Sequence, residues 1–219
     1  MKDLRSLMID RYKAVPPRSS RRDRQRHDGQ TLVEFALVIP LFLVLLLGTI
    51  EFAFIFNATL NVNYASRNAS LIAAEAGSNA SADCLILRTI ESDLNAPLDR
   101  SLIQSIRVFK ADRAGNPVAG VENVYTRDTV GPPLVCGSIS VPYAPTGTPG
   151  YTDRCDRLAG CLVAGSSPPV YTPLDSIGVE ILYEYRWHTP LRNFVPLPGS
   201  GTGQLDLRWS NVMRMEPIL

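Results

Sequence analysis

The chain has 219 residues and a formal net charge of +1, with 20% of its residues charged. Those charges are unevenly placed: residues 1–28 carry nine Lys or Arg against four Asp, a balance of +5, which leaves −4 for the remainder. This excludes a uniformly basic, polyanion-binding chain, because the basic excess lies directly before an apolar stretch, where it sets membrane topology rather than nucleic-acid contact.

The first predicted element is a membrane helix. Phe35 to Ile50 is free of charge, Glu51 interrupts, and Phe52 to Phe56 completes the apolar run. At ~1.5 Å per residue the run covers ~33 Å, the thickness of a bilayer's hydrocarbon core. Basic residues beside a first span stay cytoplasmic, so the leader, residues 1–29, is expected inside and everything after the span outside. Pro40 and Gly48 fall within the run, and membrane helices tolerate both. Two carboxylates punctuate it. Glu34 stands where lipid begins, the depth at which an acid is cheapest. Glu51 reads either as the outer end of a short span of ~24 Å or as a second intramembrane polar contact with a partner helix. A removable secretory signal has an apolar region of only about 7–15 residues before a small-residue cleavage site. Here the run is longer and ends in Phe54-Ile-Phe56. The remaining alternative is a permanent signal anchor carrying an extracytoplasmic binding module.

Basic leader, Gly29, four residues, Glu34, Phe35 and an unbroken apolar run together resemble a class III (prepilin) signal, which a membrane peptidase cuts directly after the glycine. Thr31-Leu-Val-Glu-Phe-Ala-Leu-Val-Ile-Pro40, followed by Leu-rich sequence, Gly48, Glu51 and Phe52, is similar to the TadE/TadF family, the minor pseudopilins of tight-adherence (Tad, or Flp) pilus systems. The stretch Tyr64-Ala-Ser-Arg-Asn-Ala-Ser-Leu departs from the Ala-Ala-Arg-Glu-Gly-Ala run associated with that family. The resemblance implies a bacterial inner-membrane protein processed between Gly29 and Gln30. Its Glu34, followed by the aromatic Phe35, would meet the new Gln30 amine of its own helix or of a neighbouring subunit. The partners implied are prepilin peptidase, other TadE/TadF-like pseudopilins, the major pilin, the inner-membrane assembly platform and membrane lipid, with no nucleic acid.

Helix is expected to continue beyond the bilayer to Ala76, with Gly77-Ser78 as the stop and Leu71 and Ile72 available for packing. Residues 30–77 thus form one helix, and residues 78–219 an extracytoplasmic domain. Ala82 to Leu94 reads as a second helix, with Leu85, Ile86, Ile90 and Leu94 at helical spacing and Pro97 ending it. Leu102–Lys110 and Val118–Thr126 read as strands separated by the turn Ala114-Gly-Asn-Pro117. Residues 131–173 are rich in Pro and Gly and read as a long irregular excursion. Ile177 to Trp187 alternates Ile, Val, Ile, Tyr, Tyr, Trp against polar residues, and Gln204 to Met215 alternates likewise. The two suit an antiparallel hairpin with a long loop, and the aromatic face is expected to cover the helix. The whole is an α+β plan, a long N-terminal helix against a small, mostly antiparallel sheet, pilin-like in outline.

Cys84, Cys136, Cys155 and Cys161 all follow the span, in the part expected to reach an oxidising compartment, where an even number suggests two disulfides. Three pairings are open. Cys155 with Cys161, leaving Cys84 for Cys136, is the favoured one. The spacings lack the close Cys pair of a zinc site. Asp153, Asp156 and Asp175 lie in or near the excursion without a calcium-loop pattern. His27 and His188 are isolated, and no G-x-S-x-G, phosphate loop or dinucleotide fingerprint occurs. Nothing therefore argues for an enzyme, a cofactor or a resident metal.

Overall fold

The computed structural model describes residues 20–94, 98–156, 161, 165–170, 172–193 and 203–215, with side chains from residue 29 onward except that of Arg192. Most of the expected leader, including the His27 side chain, Pro97, and parts of the long loops lie outside the described residues. The first helix, α1, runs Ser20–Ala76 with Pro40 inside it. The chain divides into two compact units, one ending at Leu47 and the other Gly48–Leu219, and α1 contributes to both.

In the first unit the side chains described are exposed all round the helix: Leu37 is 74% exposed, Leu41 64% and Phe35 62%. An 18-residue window in Gly29–Ala76 reaches a mean hydropathy of 2.5 and none of it is buried. A helix apolar on every side needs an apolar surrounding, and this one is long enough to cross a membrane.

In the second unit α1 becomes one-sided. Glu51, Ala58, Val62, Ala65, Ser66, Ala69, Ser70 and Ala73 are buried, steps of three, four and seven that keep them on one face. Leu71, expected to pack, is instead 40% exposed. The reason is volume. The facing sheet presents Ile177, Val179, Ile181, Tyr183 and Tyr185, all buried, so close packing needs small residues on the helix. The approach is close enough for the Ser66 hydroxyl to donate to the Val179 carbonyl at 2.8 Å. At the end of α1, Gly77 takes φ +55° while its N–H reaches the Ala73 carbonyl at 3.2 Å, the left-handed stop that glycine favours.

The second helix, α2 (Ala82–Asp93), buries Cys84, Ile86, Leu87 and Ile90. Cys84 and Leu87 take the inward place expected of Leu85, which is only half-buried. The strands are β1 (Ile103–Ala111), β2 (Pro117–Arg127), β3 (Leu134–Cys136), β4 (Ile139–Val141), β5 (Tyr143–Pro145), β6 (Ser176–Arg186) and β7 (Gln204–Arg214). Five form one sheet in the order β5-β2-β1-β6-β7, and β3 pairs with β4 separately. Every pairing is antiparallel. The excursion read as irregular thus contributes three short strands, too brief and Pro-flanked to show as period-two runs. The expected hairpin is present as a continuous β6–β7 ladder from Ser176↔Arg214 to Arg186↔Gln204. On the face away from α1, Phe109 opposes Gly178. A Cβ at Gly178 would lie within contact of the ring, so the missing side chain is what lets the aromatic cover the strand.

Candidate functional site

The geometry of this chain is concentrated at three places along and around α1. At the head of the apolar run, the Gln30 side-chain amide donates to Glu34 Oε1 at 3.1 Å, one helical turn apart and exposed. Residues four apart share a face, so the position expected to hold a new amine already directs a donor at this carboxylate. Phe35 is exposed beside it, and nothing within 4 Å crowds the space where a Gly29 side chain would be.

The second place is Glu51, which is 1% exposed. Glu51 Oε1 accepts the Tyr185 hydroxyl at 2.6 Å and the His188 backbone N–H at 3.1 Å. Its Oε2 accepts the Thr189 N–H at 2.8 Å. A buried carboxylate is tolerable only when its oxygens are satisfied, and hydrogen bonds to an ionised group are the strong kind. Tyr185 has one proton and spends it on Glu51, so at 3.2 Å His188 Nδ1 supplies the hydrogen between those two side chains. The His188 ring also lies against Phe54, with centroids 4.9 Å apart. Glu51 was expected at the end of a span or against a partner helix. In the structure the chain's own domain supplies its polar contacts in place of a partner helix, holding the part of α1 from Gly48 onward against the far end of β6.

The third place is the opposite end of the domain, around the turn after α1. Asp83 on α2 accepts from Asn123 Nδ2 at 2.8 Å, from the Tyr125 hydroxyl and from Arg154. Burial, with the Asp83 charge adding to it, raises the Tyr125 phenol well above its ordinary value, so the hydroxyl stays protonated and donates. Asp156, 1% exposed, takes the Ser78 N–H just past Gly77. Asp175 receives Lys110 Nζ at 2.7 Å and the Cys155 N–H at 3.2 Å. Two of the three aspartates considered for calcium are therefore engaged by protein donors, and among the described residues no group of three or more His, Cys, Asp or Glu is arranged to hold a metal ion.

Cys84 and Cys136 form a disulfide, tying α2 to β3 across 52 residues. Cys155 and Cys161 stand as thiols, so the second expected bond is not formed here. Both cysteines converge on Thr172, whose Oγ1 is 3.6 Å from the Cys155 sulfur and whose N–H donates to the Cys161 carbonyl at 2.8 Å. The Glu51 receptor and the Asp83 knot are the elements that sequence reasoning missed. Glu51 itself was visible as an acid out of place, but its partners lie 134–138 residues away.

Residues 29–70 match the family model described as TadE-like protein. No curated protein and no solved structure matches the chain.

Proposed function

Over residues 29–70 this chain belongs to the TadE-like protein family, and from that premise we propose that it is a minor pseudopilin: an inner-membrane subunit that takes part in assembling a Tad-type pilus or related secretion filament. In this reading prepilin peptidase removes the basic leader after Gly29. The helix from Gln30 holds the protein in the membrane with the α+β domain outside the cytoplasm, and Glu34 pairs with the amine that cleavage creates. Other TadE/TadF-like subunits, the major pilin and the assembly platform are its partners.

The observation that carries the proposal is that the family match begins at Gly29, the residue five before Glu34 at the head of an exposed apolar helix. The Gln30–Glu34 contact supports it, because it shows the Glu34 carboxylate reaching back to the residue that would become the N-terminus. The Glu51 anchor is compatible with it: within the second unit it ties the part of α1 from Gly48 onward to the sheet. Neither observation involves a reaction, which agrees with a family that is pilin-related and not catalytic.

N-terminal sequencing of the protein extracted from membranes tests the proposal. Chains beginning at Gln30 are expected, and Gly29→Phe should leave an uncut precursor and abolish filament formation. A wild-type chain that keeps its leader, or a Gly29→Phe strain with normal filaments, leaves the signal-anchored binding module as the better reading.

A further inference from the structure

Beyond the uncharged stretch that ends at Ile50, α1, the turn before β1 and the end of β6 enclose a cavity of about 350 Å³. Its walls include Phe54 and Asn57 on α1, Asp99 in the turn, and Tyr183, Arg186 and His188 on or after β6. Tyr185 and His188, which hold Glu51, form its inner wall; Asp99 and Arg186 on its rim take no part in that anchor. We infer that this cavity binds the headgroup of a zwitterionic, primary-amine phospholipid, placing the ammonium at Asp99 and the phosphate at Arg186. The inference rests on the reading that α1 crosses a membrane.

Depth is the first argument. Phe54 lies four residues beyond Ile50, the last position of the uncharged run, and four residues advance a helix by ~6 Å. The cavity therefore opens where hydrocarbon gives way to headgroups, the level at which aromatic side chains concentrate. Phe54 is 40% exposed and stacks at a tilt on the His188 ring, centroids 4.9 Å apart, giving the cavity an aromatic wall rather than a polar one.

Charge complementarity is the second. Two opposite charges share the cavity without serving the core. Asp99 is exposed, and hydrogen bonding from Ser101 chiefly holds its carboxyl below the usual range, so it is ionised at any physiological pH. The Arg186 side chain is 61% exposed, and its Nε is held by Glu184 at 3.0 Å. That contact orients the planar fork and leaves its terminal nitrogens as donors, the geometry that suits phosphate. Tyr183 lines the same cavity, its oxygen accepting the Asp99 N–H at 3.3 Å, which leaves its own proton for a donor role. A purely anionic headgroup would meet Asp99 as a repulsion, and an acyl chain would desolvate both charges without partners. A headgroup that carries both an ammonium and a phosphate offers each charge a partner. The volume sits at the low end of the ~300–1,000 Å³ typical of small-ligand sites, which fits a compact headgroup.

The experiment uses the full chain, purified in detergent and reconstituted into vesicles of phosphatidylcholine containing equal amounts of phosphatidylethanolamine and phosphatidylglycerol. Flotation reports membrane insertion, and native mass spectrometry after re-extraction reports the lipid retained. Wild type should float and retain phosphatidylethanolamine over phosphatidylglycerol by about tenfold, the effect of one well-placed charge pair. Asp99→Asn keeps the Ser101 hydrogen bond but removes the charge, and should reverse the preference toward phosphatidylglycerol. Arg186→Gln should lose both lipids while still floating. Retention without headgroup preference, or a preference unchanged in both variants, overturns the site and leaves the anchor standing. Failure of the wild type to float overturns both.

Discussion

The Tyr185 hydroxyl and the Glu51 carboxylate meet at 2.6 Å across 134 residues of sequence, and the bond is buried. This contact turns a helix that merely touches a sheet into one with a single permitted register. Glu51→Ala strands three donors, the Tyr185 hydroxyl and the Thr189 amide in buried positions and the His188 amide in a half-buried one. Each buried donor left unmade costs about 1–3 kcal/mol, so the loss is on the order of 3 kcal/mol or more. Tyr185→Phe removes one donor and leaves the carboxylate its two amides, at about 1 kcal/mol. For a domain of this size the first change lowers Tm by about 6 °C or more and the second by about 2–4 °C. Thermal unfolding of the detergent-solubilised protein measures both. Equal effects of the two variants would show that Glu51 is not the anchor.

The stripe of small residues on α1 makes a second prediction with an unusual sign. Ala65 and Ala69 are wholly buried against the sheet, whereas Leu71 is 40% exposed. Ala65→Leu adds three carbons where no space exists and should cost about 1–3 kcal/mol or more. Leu71→Ala, ordinarily the damaging direction, should cost little. The pair is read in the same unfolding assay, and a Leu71→Ala variant as destabilised as Ala65→Leu would refute the packing described.

What the sequence made legible and what it hid divide along one physical line. The apolar run, the Gly77 stop and the alternating residues of β6 and β7 were readable because each is written in neighbouring residues, as hydropathy, backbone freedom or period two. The face of α1 was not, because which side chains turn inward depends on the volume already supplied by Ile181 and Tyr183 more than a hundred positions later. β3, β4 and β5 are three residues each, too short to establish a period. The Glu51 and Asp83 networks are assembled from partners 40 or more residues apart, and no spacing rule connects them. Glu51 was conspicuous only as an anomaly, and the anomaly was real.

Gly178 and Phe109 provide a third prediction. A Cβ at position 178 would strike the Phe109 ring, and the ring, 1% exposed, has no free volume to retreat into. Gly178→Ala should therefore destabilise by about 1–3 kcal/mol, although alanine is an easier residue than glycine for a strand. The discriminating measurement is a double-mutant cycle. In Phe109→Leu the added methyl should be better tolerated, giving a coupling of at least ~0.5 kcal/mol; independent, additive effects would mean that the clash is not the cause.

The last prediction concerns the two remaining thiols. Burial, and then hydrogen bonding with Cys155, pushes the Cys161 thiol up to about 11, while Cys155 is the more exposed of the two. Only a thiolate is a good nucleophile, so in the reduced protein at neutral pH Cys161 should resist iodoacetamide. Its labelling rate should climb about tenfold per pH unit until the solution approaches that value. Cys155, the more accessible sulfur, should label first; with a disulfide oxidant such as oxidised glutathione it should be the one that forms the mixed disulfide, releasing one thiol, after which Cys161 displaces the second to close the Cys155–Cys161 bond. Protein recovered from the extracytoplasmic side should then show neither cysteine available to alkylation until it is reduced. Peptide-resolved labelling over a pH series reads both parts. Equal rates at the two cysteines in the reduced protein would contradict the burial of Cys161, and two free thiols in the recovered protein would rule out the second disulfide.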